Sequence, residues 1–310
     1  MVTVVIPTLR RPDLVLRAID SALRQTYACL EVVVVIDGPD EATRAALRAV
    51  EDARLRVVAV DESVGGCDAR NLGVKHARGE WIAFLDDDDE WLPDKIQKQM
   101  ALAADAPEPY PVVATKLTAK SPHGDFIWPR RFPGKTEPLC EYLFNRSKFS
   151  FGDGLIQTSM LLTRRSLMEV VPFTSGLPKH QDLDWYLRVT EVAGVRFYFV
   201  PEPLVNWYVG ENRKAVTNRT GWRSSLDWIK GNRKRMTARA YAGFICTTVA
   251  SEASREGQWR AFPELLREAF RNGKPGYTEL SLFMSMWFVR PSFRRRLRAW
   301  RHALTVKHAA

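Results

Sequence analysis

"GGCDARNLGVKHARGEWIAFLDDDDEW", residues 65–91, decides the reading of this chain. Two glycines lead into a helix-compatible segment at 67–77, Gly79 closes it, and the apolar run "WIAFLD" (81–86) follows. A short apolar run bounded by a glycine and by acids reads as a buried strand. Directly behind it stand four carboxylates, Asp86, Asp87, Asp88 and Asp89. They repel one another, and folding alone gives no reason to gather them. One reading is a solvated loop or a helix N-cap leading into "EWLPDKIQKQM". The other is a divalent-cation site, because Mg²⁺ or Mn²⁺ takes hard oxygen ligands, often one or two carboxylates plus substrate phosphates. An EF-hand is a poor alternative, since the loop lacks the glycine at its sixth position and the closing glutamate at its twelfth.

Outward from this stretch, strand and helix signals alternate. "TVVIP" (3–7), "LEVVVVID" (30–37) and "LRVVAVD" (55–61) read as strands, and 11–26 and 40–52 as helices. Continuous apolar strands separated by helices predict a parallel α/β sheet with both faces covered. Ligands of such sheets bind beyond the carboxyl ends of the strands. Asp37, Asp61 and the 86–89 run all fall at strand ends. Further on, "YPVVATKLTA" reads as strand, 154–170 as a strand running into a helix, 180–193 as a helix with acids in its first turn, and 195–209 as strand. Beyond about 220 only helical patterns remain, at 222–255, 258–272 and 277–305. The expected division is 1–220 for the α/β domain and 221–310 for a basic helical region.

The bulk composition narrows the class. With 310 residues, 45% hydrophobic and 26% charged, the chain has the balance of a soluble globular protein. Four scattered cysteines without a C-x-x-C pair argue against zinc and against a disulfide framework. Residue 1 leads straight into "VTVVIP" with no secretory signature, so a cytoplasmic protein with reduced thiols is expected, and the sequons at Asn145 and Asn218 are chance matches. No apolar run reaches the roughly 18 residues of a membrane span. The net charge is +10, and from Leu280 onward there are six arginines (290, 294, 295, 296, 298, 301) and Lys307 without any acid. That asymmetry suggests an anionic partner.

Taken in order and spacing, "VVIPTLRRPDLVLRAIDSALRQTY", "EVVVVIDG", the 65–91 stretch and "QDLDWYLRV" resemble inverting family 2 glycosyltransferases over residues 1 to about 210. The resemblance implies the GT-A fold, a Rossmann-like, mostly parallel sheet flanked by helices, here with a C-terminal helical appendage. It implies that Pro7 and Thr8 border the nucleotide, that Asp37 accepts a hydrogen bond from the base, and that Asp68 and Arg70 sit by the base and ribose or the diphosphate. Asp68 and Arg70 could equally form a pair on a helix surface. Asp86 and Asp88 match the family's Asp-x-Asp, with Asp88 on a Mn²⁺ or Mg²⁺ ion and Asp86 nearer the ribose. Asp87 and Asp89 are then caps or supports, and the acidic run is expected to be poorly paired without metal.

The resemblance also implies a catalytic base, Asp182, at the start of the helix at 180–193, where Gln181 replaces the family's glutamate. Asp184 is the fallback. His180 is expected to be structural, and Arg213, Lys214 and Arg219 are candidates to close over the diphosphate. "PGKTE" (133–137) lacks the upstream glycine of a P-loop. The implied activity is metal-dependent transfer of one sugar from a nucleotide-sugar donor, a UDP-sugar being the first expectation, to a saccharide or lipid-linked acceptor in bacterial surface polysaccharide synthesis. Transfer to a polyprenyl phosphate is the alternative, and it would not need Asp182. The 280–310 segment could either cap the fold or lie on an anionic membrane surface at the inner face of the plasma membrane. Nucleic-acid binding and a non-catalytic scaffold are the readings of another class. The first is disfavoured, because an acidic cluster at the ligand end of the sheet repels phosphates unless metal is bound.

Overall fold

The apolar runs of the first half become neighbours in one sheet. The structure, a computed structural model, describes residues 1–122, 124–149, 152–209 and 221–289. Strands β1 (Val2–Thr8), β2 (Leu30–Ile36), β3 (Leu55–Ala59) and β4 (Trp81–Phe84) lie side by side in the order β3-β2-β1-β4, all parallel. Val4 stands opposite Val32 on one side and Ala83 on the other. Every residue of β2 and β4 is buried, as a strand covered on both faces requires. The chain leaves β1 for β2 in one direction and reaches β4 in the other, which opens a crevice between the carboxyl ends of β1 and β4.

Helices α1 (Pro12–Leu23), α2 (Glu41–Arg48) and α3 (Gly66–His76) make the crossovers. Proline at the first position of α1 costs no hydrogen bond there, and the Asp40 side chain caps α2 by accepting from the Thr43 backbone N–H. Helix α3 packs close to the sheet because residue 73 is glycine: a Cβ there would meet Val5 Cγ1 at 2.3 Å.

The other half of the sheet changes direction. Strand β4 pairs antiparallel with β8 (Leu162–Arg164), β8 antiparallel with β6 (Tyr110–Lys120), β6 parallel with β9 (Val195–Tyr208), and β9 antiparallel with the short β5 (Asp89–Trp91). A short β7 (Phe126–Trp128) pairs with β6. The stretch after the acidic run is therefore strand rather than helix cap. Helix α4 (Lys95–Ala104) begins only after Pro93, since the residue before a proline is pushed out of the helical region. The remaining helices of this half are α6 (Arg165–Val170) and α7 (Gln181–Val189).

The chain forms two compact units, Met1–Lys135 with Gly152–Thr217, and Thr136–Phe151 with Asn218–Ala310. The second contains α5 (Leu139–Phe144), α8 (Trp222–Gly231), α9 (Ala238–Phe244), α10 (Ala250–Arg255), α11 (Ala261–Asn272) and α12 (Tyr277–Phe288). The helix expected over 222–255 is broken at Asn232 by a 3₁₀ turn (Arg233–Arg235), and Thr237 starts the next helix by capping Ala240 N–H. Among the described residues no helix is long and apolar enough to cross a membrane.

Candidate active site

The crevice collects its polar groups from separate segments of the first unit. At the end of β1, Pro7 is half-buried and Thr8 is buried. The Thr8 carbonyl accepts from Asp37 N–H at 2.9 Å, which ties the ends of β1 and β2 together. Asp37 is 6% exposed, and its carboxylate accepts from Ser63 Oγ (3.0 Å), Val64 N–H (2.6 Å) and Gly65 N–H (3.1 and 3.2 Å). It thus shapes the 63–65 loop at the mouth of the crevice. Asp61 lies beyond β3 and is exposed.

The N-terminal turn of α3 and the 176–181 segment face each other across a cavity of about 310 Å³. Gly65, Gly66, Cys67, Leu177 and Gln181 are among its lining residues. Burial pushes the Cys67 thiol up to about 11, so it stays a thiol. Asp68 and Arg70, one turn of α3, separate by role. Asp68 accepts from Ser175 Oγ (2.8 Å) and Gly176 N–H (3.3 Å), holding the loop before α7. Arg70 donates to Asp86 Oδ1 (2.5 Å) and Gln181 Oε1 (3.1 Å), and does not form a surface pair with Asp68.

Along the acidic run, exposure alternates: Asp86 and Asp88 are half-buried, Asp87 and Asp89 buried. Asp87 accepts from Thr8 Oγ1 (2.8 Å) and Arg11 Nη1 (2.9 Å), and burial pushes its carboxyl up to about 6 despite the guanidinium. One oxygen of Asp89 accepts from Gln157 Nε2 and Ser159 Oγ, each at 2.6 Å, while Oδ1 is buried without a hydrogen-bond partner. Burial first, and then the charges of Asp86 and Asp88, lift Asp89 well above the usual carboxylate range. Arg11 Nη1 also reaches Asp88 Oδ2 at 3.2 Å, and Arg17 Nη2 donates to the Asp88 carbonyl at 2.8 Å.

The expectation that the run is poorly paired without metal is therefore corrected. Arg70 on Asp86 and Arg11 on Asp87 and Asp88 supply charge compensation from within the chain. No local pattern marks Arg11, Arg17, Gln157 and Ser159 as partners, because they lie some 70 residues from the aspartates they touch. Arg11 lies three residues beyond the end of β1, within reach of the strand-end argument.

The carboxylates still fit a divalent cation. Asp86 and Asp88 are the two with exposed oxygens, at 24% and 23% side-chain exposure, and the donors are all oxygen. No group of three or more potential protein ligands occurs among the described residues. A pair of carboxylates is compatible with Mg²⁺ or Mn²⁺, which leaves much of its coordination shell to phosphate and water.

Helix α7 supplies the second carboxylate. His180, its N-cap, adopts a left-handed backbone (φ 60°), and burial, then the charge of Lys179, depresses the imidazole to about 3, keeping it neutral. Asp182 is half-buried, and burial raises its carboxyl to about 6; Arg70 pulls it down and Asp86 pushes it up, so it shares the field of the crevice. Asp184 is buried and accepts from Thr174 Oγ1 (2.6 Å) and Arg188 Nε (2.8 Å), a structural position. Arg213, Lys214 and Arg219 lie outside the described residues, as do the arginines from 290 onward and Lys307.

A mostly parallel sheet flanked by helices, with an acidic run at its switch point, is the arrangement of a GT-A glycosyltransferase. The chain belongs to glycosyl transferase family 2, whose model matches residues 3–171, more than half of its length. It is 25% identical over 245 residues to the amylovoran biosynthesis glycosyltransferase AmsB of Erwinia amylovora, covering 76% of this chain and 79% of that protein. Over 102 residues it is 32% identical to the UDP-Glc:alpha-D-GlcNAc-diphosphoundecaprenol beta-1,3-glucosyltransferase WfgD of Escherichia coli, covering 33% of this chain and 40% of that one. Among solved structures, S. aureus TarS 1–349 in complex with UDP-GlcNAc superposes with a TM-score of 0.64 over 95% of this chain and 91% of that one. At 13% identity, that likeness establishes the shared fold.

Proposed function

We propose that this chain transfers one sugar, with inversion, from a UDP-sugar to a hydroxyl of a saccharide or lipid-linked saccharide in bacterial polysaccharide biosynthesis. The observation that carries the reading is that Arg70 bridges Asp86 and Gln181, the residue before Asp182, so the acidic run and a half-buried carboxylate meet in one crevice, where burial raises the Asp182 carboxyl to about 6. A base of that strength is ionised at neutral pH and still accepts a proton effectively. The acceptor hydroxyl gives its proton to Asp182 as its oxygen bonds to the anomeric carbon. The bond from that carbon to the diphosphate breaks on the opposite side, so one displacement inverts the centre. Asp88, with Asp86 beside it, would hold Mn²⁺ or Mg²⁺, which supplies Lewis-acid stabilisation of the departing diphosphate. Pro7 and Thr8 border the nucleotide, Asp37 presents the 63–65 loop to the base, and Arg70 positions Asp86. The likeness to AmsB, an amylovoran biosynthesis glycosyltransferase, supports the polysaccharide setting, and the likeness to WfgD supports a UDP donor and a lipid-linked acceptor.

Calorimetry with UDP, GDP and dTDP, with and without Mn²⁺, tests the donor site on wild type and Asp88→Asn. The expected result is metal-dependent binding of UDP that Asp88→Asn loses. Binding of none of the three would defeat the reading. Transfer to a polyprenyl phosphate is separated by Asp182→Asn, which would then leave the rate nearly unchanged.

A membrane-facing role for the second unit rests on α12. Tyr277, Met284 and Phe288 recur at helical spacing and are 83%, 44% and 63% exposed, and Trp259 stands beside Phe288 at 6.0 Å between ring centroids. The sequence that follows is the acid-free, arginine-rich 290–310 segment. Aromatic and basic residues together suit an anionic lipid surface. Flotation with phosphatidylglycerol vesicles should capture the wild type, and Trp259→Ser with Phe288→Ser should escape. Equal flotation of both proteins would remove α12 from the argument.

A further inference from the structure

Arg11 has a place in the crevice that the transfer chemistry leaves unexplained. It is the N-cap residue of α1, three residues beyond the end of β1, and its side chain is 30% exposed. One nitrogen, Nη1, donates to Asp87 Oδ1 at 2.9 Å and to Asp88 Oδ2 at 3.2 Å. Asp87 is engaged on both oxygens, since Thr8 Oγ1 donates to Oδ2. It therefore acts as a fixed post that holds the guanidinium against Asp88. The backbone of Asp88 is pinned in turn by Arg17, whose guanidinium lies 4.1 Å from the centroid of the Tyr208 ring.

This arrangement conflicts with a bare cation on Asp88. A metal bound to Asp88 Oδ2 at about 2.1 Å would stand within about 5 Å of Nη1, and the two positive charges would repel. Arginine cannot lose its proton to relieve that repulsion. A diphosphate can relieve it, because one phosphate oxygen can face the cation while another accepts from the planar guanidinium fork.

We propose that Arg11 is a built-in counter-ion on Asp88 that makes the divalent cation and the nucleoside diphosphate bind as a unit. The proposal rests on the donor-site reading and adds an order to it. Arg11 would hold a bare cation off Asp88 and would favour a cation that arrives with a diphosphate. The coupling is reciprocal, so metal must strengthen nucleotide binding by the same factor that nucleotide strengthens metal binding.

The test is Mn²⁺ binding to the full chain, read from the loss of the free-ion electron paramagnetic resonance signal, without and with saturating UDP. Wild type should leave Mn²⁺ free where Arg11→Met binds it at least about 10-fold more tightly; with UDP present the order should reverse by a similar factor. The coupling between Mn²⁺ and UDP would then drop by about 100-fold in Arg11→Met and less in Arg11→Lys, which keeps the charge. Equal coupling in wild type and Arg11→Met, with matching thermal melts, would overturn the proposal and leave Arg11 a clamp for Asp87. If Arg11→Met does not fold, Arg11→Gln carries the same comparison. A wild type that binds no nucleotide would defeat the donor-site reading separately, while the Mn²⁺-only arm would still decide whether Arg11 shields Asp88.

Discussion

Two stretches of the chain, one after β4 and one opening α7, carry the pattern Asp-x-Asp, and they behave differently. In Asp86-Asp87-Asp88, between β4 and β5, the first and third carboxylates are both half-exposed and the middle one is buried. In Asp182-Leu183-Asp184, in the first turn of α7, the first is half-buried within the field of Arg70 and the third is buried against Thr174 and Arg188. Local backbone geometry accounts for the difference. Residues 86–89 form a turn closed by Asp89 N–H on the Asp86 carbonyl at 3.1 Å, and that turn leaves the side chains of Asp86 and Asp88 half-exposed. On a helix with 3.6 residues per turn, i and i+2 point about 200° apart. One motif therefore offers two carboxylates to a ligand and the other only one.

Substitutions can break this contrast or sharpen it. The largest effect is expected from Asp182→Asn, which should lower kcat by about 10²- to 10⁴-fold while metal-dependent UDP binding survives. An equal loss of kcat in folded Asp184→Asn would break the contrast. Next in size, Asp88→Asn should weaken UDP binding in the presence of Mn²⁺ by about 100-fold, roughly 3 kcal/mol, with a smaller effect from Asp86→Asn. Reversal of that order by calorimetry would exchange the roles of the two positions. Asp184→Asn should act on stability, lowering it by about 2 kcal/mol because the partly buried Arg188 loses the opposite charge and the amide NH₂ has no acceptor to replace the second carboxylate oxygen. A thermal melt unchanged from wild type would show the pairing to be dispensable.

The pH profile sharpens the assignment of the base. Because burial raises the Asp182 carboxyl to about 6, its ionised form is lost as pH falls through that value. The rate should therefore be on a plateau above pH 7 and fall tenfold per unit well below 6, and Asp182→Asn should lack that limb. A limb near 4 would mean that the crevice does not desolvate Asp182. The smallest effect belongs to His180→Asn. Asparagine tolerates the left-handed backbone at that N-cap, so stability should change by less than about 1 kcal/mol. A large loss of UDP binding there would instead place the imidazole on the ligand.

The legibility of the fold varied with the range of the interactions. The parallel block was readable because β1, β2 and β4 are continuous apolar runs and their helices carry their own starts, Pro12 for α1 and Asp40 for α2. Strand β5 was not readable: Asp89, Glu90 and Trp91 are three residues that become strand only through pairing with Trp207, Asn206 and Val205 of β9. The break at 232–237 was visible in Gly231, Asn232 and Thr237, whose cap is local, yet the surrounding apolar periodicity masked it.

For the site, sequence by itself determined which carboxylates are present and that they stand where strands end or a helix begins, because those are properties of local pattern. Tertiary structure alone decided how each is compensated. Asp86 received Arg70, Asp87 received Thr8 and Arg11, Asp89 received Gln157 and Ser159, and Asp184 received Thr174 and Arg188. The charge of a buried carboxylate is set by whichever groups the fold carries to within hydrogen-bond reach, and most of these come from segments far away in the chain.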